Sequence, residues 1–497
     1  MTLARLHPSM LDALPAAVER PRWRRDALGL GIVHLGVGAF MRGHLAAFND
    51  DALAGGGEPA WGICGVSLRH ADTRDALAPQ QGLYSLALRD ADALGAPRQR
   101  LRVIGCVTEL RVAPEDPAAV LARIASPAAR IVSLTVTEKG YCHDPASGAL
   151  NLAHPDIVHD LGHPGAPKSA VGFIVHGLAL RRAHGLAGLT MMSLDNLPAN
   201  GRVLRGLVLA FAQALKEPAL ADWIGEQCSF PCSMVDRIVP RTTDADRERV
   251  AVALGADDAW PVVAEPFIDW VLEDRFVAGR PAWPGVRTVA HSADVAAWER
   301  LKLRMVNGAH SALAYLGVVA GWPTVDAAMA QPALRHFIDT MLRDEVEPTL
   351  TGLAVPPGYR ERLLQRFANP ALAHRCAQIA MDGSQKIPQR LLATVRDRLA
   401  AGAPIAQLVL ALAGWLHFLR GQDEAGRVYT LDDPLAAALQ AQWREAQALG
   451  SAPARAEHLT RFAPVFGNLA GEPRLVAALA PRLQSLSERG VVVTLAA

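Results

Sequence analysis

The stretch Lys302-Leu303-Arg304-Met305-Val306-Asn307-Gly308-Ala309-His310 holds an amine, a carboxamide and an imidazole close together in the chain. On an α-helix, at ~100° per residue, Asn307 lies roughly 140° and His310 roughly 80° round from Lys302, so all three project from one side. Converging there, the amine can take a proton from an alcohol, the amide can donate to an oxyanion, and the imidazole can hold a neighbouring hydroxyl. The flanking Met305, Val306, Ala309, Leu313, Ala314 and Leu316 leave little polar surface, which argues against a merely solvated helix face. Lysine is scarce: of 50 basic residues only those at 139, 168, 216, 302 and 386 are Lys. A lysine kept among so many arginines is a candidate for what guanidinium cannot do, titrating near neutrality or placing a compact charge.

Other chemistry-bearing residues follow apolar runs. Gly36-x-Gly38 comes directly after Gly31 to Leu35, and is half of a dinucleotide-binding turn; the third glycine is missing, since position 41 is Met. Such glycines let the backbone approach a pyrophosphate at a helix start, and the alternative is a plain strand-to-helix turn. Arg42 and His44 stand where a cation could face a phosphate. At the end of the next run, where an acidic residue usually grips the ribose, the chain reads Ser67-Leu68-Arg69, and an Arg here could accept a 2′-phosphate. Thr137-Glu138-Lys139-Gly140-Tyr141 and Ser193-Leu194-Asp195-Asn196 end two further runs. Asp195 and Asn196 fit a binding role or a helix cap, and Asp236 with Arg237 fits a site or a local ion pair. No metal-ligand set is evident, because Cys228-x3-Cys232 has no second Cys or His pair at a suitable distance.

These residues need a scaffold, and the patterning supplies one. Gly31 to Leu35, Ala60 to Ser67, Ile131 to Val136 and Leu189 to Leu194 are continuous apolar runs, expected as strands of a parallel sheet covered on both faces. Ser169 to His184 and Arg202 to Leu215 have the periodicity of crossover helices. After about residue 290 strand signals vanish, and Asp294 to Val319, Ala333 to Glu345, Arg360 to Ala368, Ile387 to Ala401 and Ile405 to Leu419 all read as helices. The fold class expected is α/β: a Rossmann-type parallel-sheet domain over 1–290, then a mostly α-helical domain over 291–497. The 497 residues are 51% hydrophobic and 20% charged, with net charge +1, a folded globular composition with no field for nucleic acid or anionic membrane. The longest apolar run, Leu408 to Leu419, is too short to span a bilayer. Six cysteines without framework spacing suit a reducing compartment, so a cytoplasmic protein, a monomer or weak homo-oligomer, is expected.

Seven collinear blocks resemble the mannitol dehydrogenase family, the polyol-specific long-chain dehydrogenases and reductases. They are GIVHLGVGAFMRGH at 31–44, SLTVTEKGY at 133–141, SLDNLPANG at 193–201, SMVDRIVP at 233–240, EPFIDWVLED at 265–274, KLRMVNGAHSALAYLG at 302–317 and MDGSQKIPQR at 381–390. The resemblance implies metal-independent hydride transfer with NAD, NADP not being excluded, to or from a small sugar or sugar acid. It implies that Lys302 is the general base, that Asn307 with Asn196 brackets the developing oxyanion, and that His310 orients the substrate. A free lysine titrates near ~10.4, so this role requires a site that depresses the amine. Gly36, Gly38, Phe40, Arg42, Arg69 and Glu138 become the candidate coenzyme residues, and Lys139, Asp236 and Lys386 the candidate substrate residues. The chain departs from the family where Phe-His-Arg is usual and Phe40-Met41-Arg42 stands instead. Within the family the Glu138-Lys139-Gly140-Tyr141 form is more similar to the fructuronate reductase branch (D-fructuronate/D-mannonate) than to mannitol 2-dehydrogenase (D-mannitol/D-fructose), which is the alternative. A catalytically idle nucleotide-binding regulatory protein is a remote third reading; loss of Lys302, Asn307 or Asn196 would be its mark, and all three are present.

Overall fold

The computed structural model describes residues 3–91, 96–144, 148–353 and 355–497. The chain divides into two compact units, Met1–Asp90 with Arg98–Ala296, and Ala297–Ala497 with Ala91–Pro97.

In the first unit five strands form one parallel sheet: β1 (Ile32–Leu35), β2 (Ile63–Ser67), β3 (Val107–Val112), β4 (Ile131–Leu134) and β5 (Thr190–Ser193). Their order is β3-β2-β1-β4-β5, with Ile32 level with both Ile63 and Ile131. This is the expected doubly wound arrangement, in which chain order reverses at β1 and the carboxyl ends of β1, β2 and β4 open onto one crevice. β1, β4 and β5 are buried at every residue, which is why they appear in the sequence as unbroken apolar runs. β3, not expected from the sequence, reads VTELRV because it is an edge strand whose outer side is polar: Glu109 pairs with Arg111 and with Arg123 at 2.6 Å.

The first crossover is broken in two, α1 (Ala39–Gly43) and α2 (Leu45–Ala54), with His44 outside helical geometry between them. α3 (Pro117–Ile124) starts at a good stop-and-start signal, Pro117 behind Asp116, whose carboxylate accepts from the Ala119 N–H. α4 (Ala170–Ala183) and α5 (Asn200–Ala214) are the two crossover helices expected from periodicity. Two smaller sheets were not legible. One pairs β6 (Ser233–Asp236) antiparallel and β8 (Arg287–Val289) parallel with β7 (Asp269–Glu273). The other orders Val18–Glu19, Pro97–Ile104, Tyr84–Ala91 and Val262–Ala264.

The second unit is helical, as expected. Its core is built on α7 (Gly308–Ala320), preceded by α6 (Ser292–Leu301); further along come α8 (Gly383–Ile387), α9 (Ala406–Phe418) and α10 (Pro473–Ala496). The apolar run Leu408 to Leu419 is α9, buried on every side, and at Gly414 it approaches Leu316 of α7 so closely that a Cβ would clash. The single helix expected over Asp294 to Val319 is interrupted: Lys302–Asn307 is a π-turn joining α6 to α7. Two more π-turns, Met341–Val346 and Pro388–Leu392, interrupt the helices expected over Ala333 to Glu345 and Ile387 to Ala401.

Candidate active site

The glycine turn after β1 is shaped by three side chains. Gly36 has φ +96°, and a Cβ there would run into the Thr135 carbonyl, so no other residue suits it. His34, a residue the motifs did not single out, lies under the turn: its ring bridges Ser133 Oγ at 2.8 Å, Thr135 Oγ1 at 3.0 Å and the Gly36 carbonyl at 3.2 Å. Burial pushes its pKa down to about 3, so it is a neutral strut. Gly38 caps α1, and a Cβ on it would meet nothing within 4 Å. That open backbone at a helix start fits the pyrophosphate of a dinucleotide.

Arg42 does not face this opening, which corrects the expectation that it is a coenzyme residue. Its guanidinium is buried, donates to the Trp260 carbonyl at 2.6 Å and lies over the rings of Tyr84 and Trp260. The reason is rotational: α1 is short, and its inner face points Arg42 into the core, where burial lowers the guanidinium pKa. His44 likewise turns inward, its Nε2 at 3.1 Å from the Asp269 carbonyl, and Phe40 stacks on it at 5.0 Å. Arg69 is exposed just past β2 and ion-paired with Asp156 at 2.6 Å.

At the end of β4, Thr137 adopts φ +61°, a strained value for a β-branched residue, and starts the one-turn helix Glu138–Tyr141. Asp195 holds it there. Its carboxylate accepts from the N–H groups of Val136 and Thr137, both at 3.0 Å, and from Tyr141 Oη at 2.8 Å. Burial raises the Asp195 pKa to about 6. Of the two roles left open for Asp195, capping is excluded, because α5 begins behind Ala199 without a side-chain cap. The turn presents Glu138 half-buried and Lys139 exposed, and Asn196 is exposed beyond β5. Asn200, which spacing also missed, ties these loops together: its amide donates to the carbonyls of Ser193, Asp195 and Ser233, and its oxygen accepts from Ser233 N–H at 2.9 Å. Asp236 is buried at the end of β6 opposite Asp269. Arg237 donates to the carbonyls of Glu265 and Gly43.

In the second unit Lys302, Asn307 and His310 are all buried, at 6%, 7% and 8% exposure. The π-turn changes the angular arithmetic. With Gly308 N–H bonded back to the Leu303 carbonyl, one turn takes in about one residue more than in an α-helix. Lys302 and Asn307 then stand roughly 40–60° apart instead of ~140°, a closer convergence than the α-helical spacing implied. Asn307 Nδ2 and His310 Nε2 are buried and meet no hydrogen-bond partner among the described residues. His310 packs on Phe367 at 4.3 Å and edge-on to His374 at 5.8 Å. Its pKa lies well below the usual histidine value, first through burial and then through the charges of His374, Arg366, Arg390 and Lys302. The imidazole is therefore neutral and able to accept as well as donate. His374 and the Pro388–Leu392 turn carrying Arg390 were missed because they lie far along the chain; Arg390 reaches Ser311 Oγ at 3.3 Å. Lys386, expected on the substrate, donates from Nζ to the carbonyls of Met381 at 2.5 Å and Ile379 at 3.3 Å, so its ammonium already caps that turn.

One cluster was invisible to spacing: Cys142, His154 and Asp156 bring potential ligand atoms within 4.8 Å of one another. Two of the three are otherwise engaged, His154 accepting from the Asp156 N–H and Asp156 holding Arg69. Among the described residues no helix is long and apolar enough to cross a membrane.

The first unit carries a dinucleotide-type glycine turn on a doubly wound sheet, and the second a buried amine, amide and neutral imidazole, the features expected of a dehydrogenase. The chain matches the mannitol dehydrogenase Rossmann domain over residues 30–285 and the mannitol dehydrogenase C-terminal domain over 294–487. It is 43% identical over 482 residues to the uncharacterized oxidoreductase YeiQ of Escherichia coli (strain K12), covering 96% of each chain. It is also 43% identical over 486 residues to D-mannonate oxidoreductase of the same organism, covering 95% of this chain and 96% of the relative. The ternary complex of Pseudomonas fluorescens mannitol 2-dehydrogenase with NAD and D-mannitol superposes with TM-score 0.90 at 38% identity, covering 99% of both chains. The chain belongs to the mannitol dehydrogenase family and is an oxidoreductase.

Proposed function

We propose that this chain catalyses reversible, NAD-dependent hydride transfer between D-fructuronate and D-mannonate. The observation that carries the chemistry is the buried Lys302–Asn307–His310 face, on which Asn307 Nδ2 and His310 Nε2 meet no hydrogen-bond partner among the described residues. In the oxidation direction the Lys302 amine takes the hydroxyl proton while the carbon gives up its hydride. NAD, when bound at Gly36 and Gly38, supplies the hydride acceptor. Asn307 donates to the oxygen as charge builds on it, contributing about 3 kcal/mol, and Asn196 is the second donor that the family resemblance implies. His310, kept neutral, holds a neighbouring hydroxyl, and Asp236 is a further substrate contact.

The choice of a uronate rests on Lys139. It stands exposed on the turn that Asp195 holds in a strained conformation, where a point cation suits a carboxylate. The 43% identity to D-mannonate oxidoreductase supports the same substrate, and the likeness to the mannitol 2-dehydrogenase complex keeps D-mannitol/D-fructose as the second reading. The test follows NADH absorbance with fructuronate, tagaturonate and fructose, for the wild type and for Lys139→Met. A loss of about tenfold in kcat/KM for the uronate, with little change for fructose, is expected from removing one charge-assisted contact. Equal losses on both substrates would return mannitol/fructose to first place.

A further inference from the structure

We infer that the Arg69–Asp156 ion pair selects the coenzyme: Asp156 keeps the guanidinium occupied, and Arg69 released from it becomes a site for the 2′-phosphate of NADP(H). The inference rests on the coenzyme lying at the Gly36–Gly38 turn and goes past that reading by naming the residues that discriminate.

The geometry lies within one unit. β2 runs beside β1, and the Gly36 N–H donates to the Val66 carbonyl at 2.8 Å, so the end of β2 sits against the glycine turn. The helix that follows is tied to the same turn by Thr73 Oγ1 of its first turn, which donates to the Val37 carbonyl at 3.4 Å. A dinucleotide whose pyrophosphate rests at Gly38 places its adenosine ribose at this strand end. There the chain offers Leu68, Arg69 and His70, with no carboxylate before Asp72, the first residue of the next helix. Nothing in that stretch repels a 2′-phosphate, and its arginine has the planar fork that phosphate favours.

What restrains Arg69 is Asp156, from the first turn of the helix Pro155–Gly162, at 2.6 Å. The two side chains are unequally placed: Arg69 is 56% exposed and Asp156 only 18%. The carboxylate is thus the fixed partner and the guanidinium the one free to swing. A pair on a solvated rim is weak enough for a dianionic phosphate to compete with it, yet the Asp156 charge also opposes that phosphate. Removing the carboxylate acts twice in the same direction, freeing the cation and deleting the repulsion.

The test uses the full-length protein and reads binding alone, so it is independent of the sugar. NADH and NADPH are titrated by quenching of tryptophan fluorescence, and 5′-AMP and 2′,5′-ADP by calorimetry. Asp156→Asn is expected to tighten NADPH and 2′,5′-ADP about tenfold while NADH and 5′-AMP stay within about twofold, and Arg69→Gln added to it should erase the gain. Asp156→Ser should behave as Asp156→Asn, which separates the charge from any local folding effect. An unchanged 2′,5′-ADP affinity in both variants, or a gain that survives Arg69→Gln, would overturn the inference. If the wild type bound neither coenzyme nor 5′-AMP, the coenzyme reading itself would fall, and the selection argument with it.

Discussion

Replacing Asn307 by leucine should cost the enzyme its rate without costing it stability. Asn307 is 7% exposed, and its Nδ2 meets no hydrogen-bond partner among the described residues. A buried polar group left unpaired destabilises a fold by about 1–3 kcal/mol. Leucine has the same branched outline of four side-chain heavy atoms, with bulkier methyl ends, and a better helix propensity, so the removed penalty offsets the tighter packing at the π-turn. The thermal midpoint of the second unit should therefore hold or rise, by roughly 2–4 °C per kcal/mol regained for a unit of this size. Turnover should move the other way, because losing one oxyanion donor lowers kcat by about 10²–10³-fold. Thermal melts followed by circular dichroism, with steady-state kinetics on the same preparations, read both halves. A variant that melts well below the wild type while turning over normally would show a structural amide, and the reasoning from its missing partner would be refuted.

Lys302→Ala should abolish turnover, by about 10²–10⁴-fold as for other general bases, while NADH affinity survives; retention of a tenth of wild-type kcat would require another base. EDTA should leave activity unchanged, since the proposed proton acceptor is an amine and two members of the Cys142–His154–Asp156 cluster are otherwise engaged; inactivation reversed by zinc would contradict this. Asp195 gives a pH signature. Its folded pKa, about 6, lies above the ~3.9 of an unfolded aspartate, so its contribution to stability is complete below pH ~4 and is lost as pH rises through about 6. Over that window the wild type should lose on the order of 3 kcal/mol relative to Asp195→Asn, and parallel stability–pH curves for the two would show that the carboxyl does not titrate as its burial dictates.

The parts of the fold that were legible are those where burial leaves one signal. β1, β4 and β5 are covered on both faces, and only apolar runs satisfy that environment. β3 failed the same test because an edge strand needs only one apolar face, and Glu109 and Arg111 hid it. The π-turn at Lys302–Asn307 could not be read either: an inserted residue shifts the phase of a helix, but Lys302, Asn307 and His310 fall on one side with or without the shift, and every residue of the turn is buried. Arg42 shows the complementary error. Its position at the start of a helix suggested a phosphate contact, but position along a chain does not set rotation about a five-residue helix axis. His34 did carry a signal, a lone imidazole inside GIVHL, where a polar side chain must be bonded within the sheet.

The electrostatics around His310 join these observations to the chemistry. The His310 imidazole resists protonation first because burial strips away the water that would solvate its charge, and then because His374, Arg366, Arg390 and Lys302 oppose a further positive charge. The same field acts with opposite sign on a substrate oxygen. In the proposed reaction Arg366 and Arg390, which oppose a charge on His310, favour the negative charge that builds on the alcohol oxygen while the Lys302 amine takes the proton. Neutrality matters in its own right, since an imidazolium could only donate, whereas the neutral ring can accept from one hydroxyl while the alkoxide forms beside it. In the proposed reaction the buried Asn307 Nδ2, which meets no partner among the described residues, gains one when the substrate oxygen arrives, so the penalty of its burial is offset by binding.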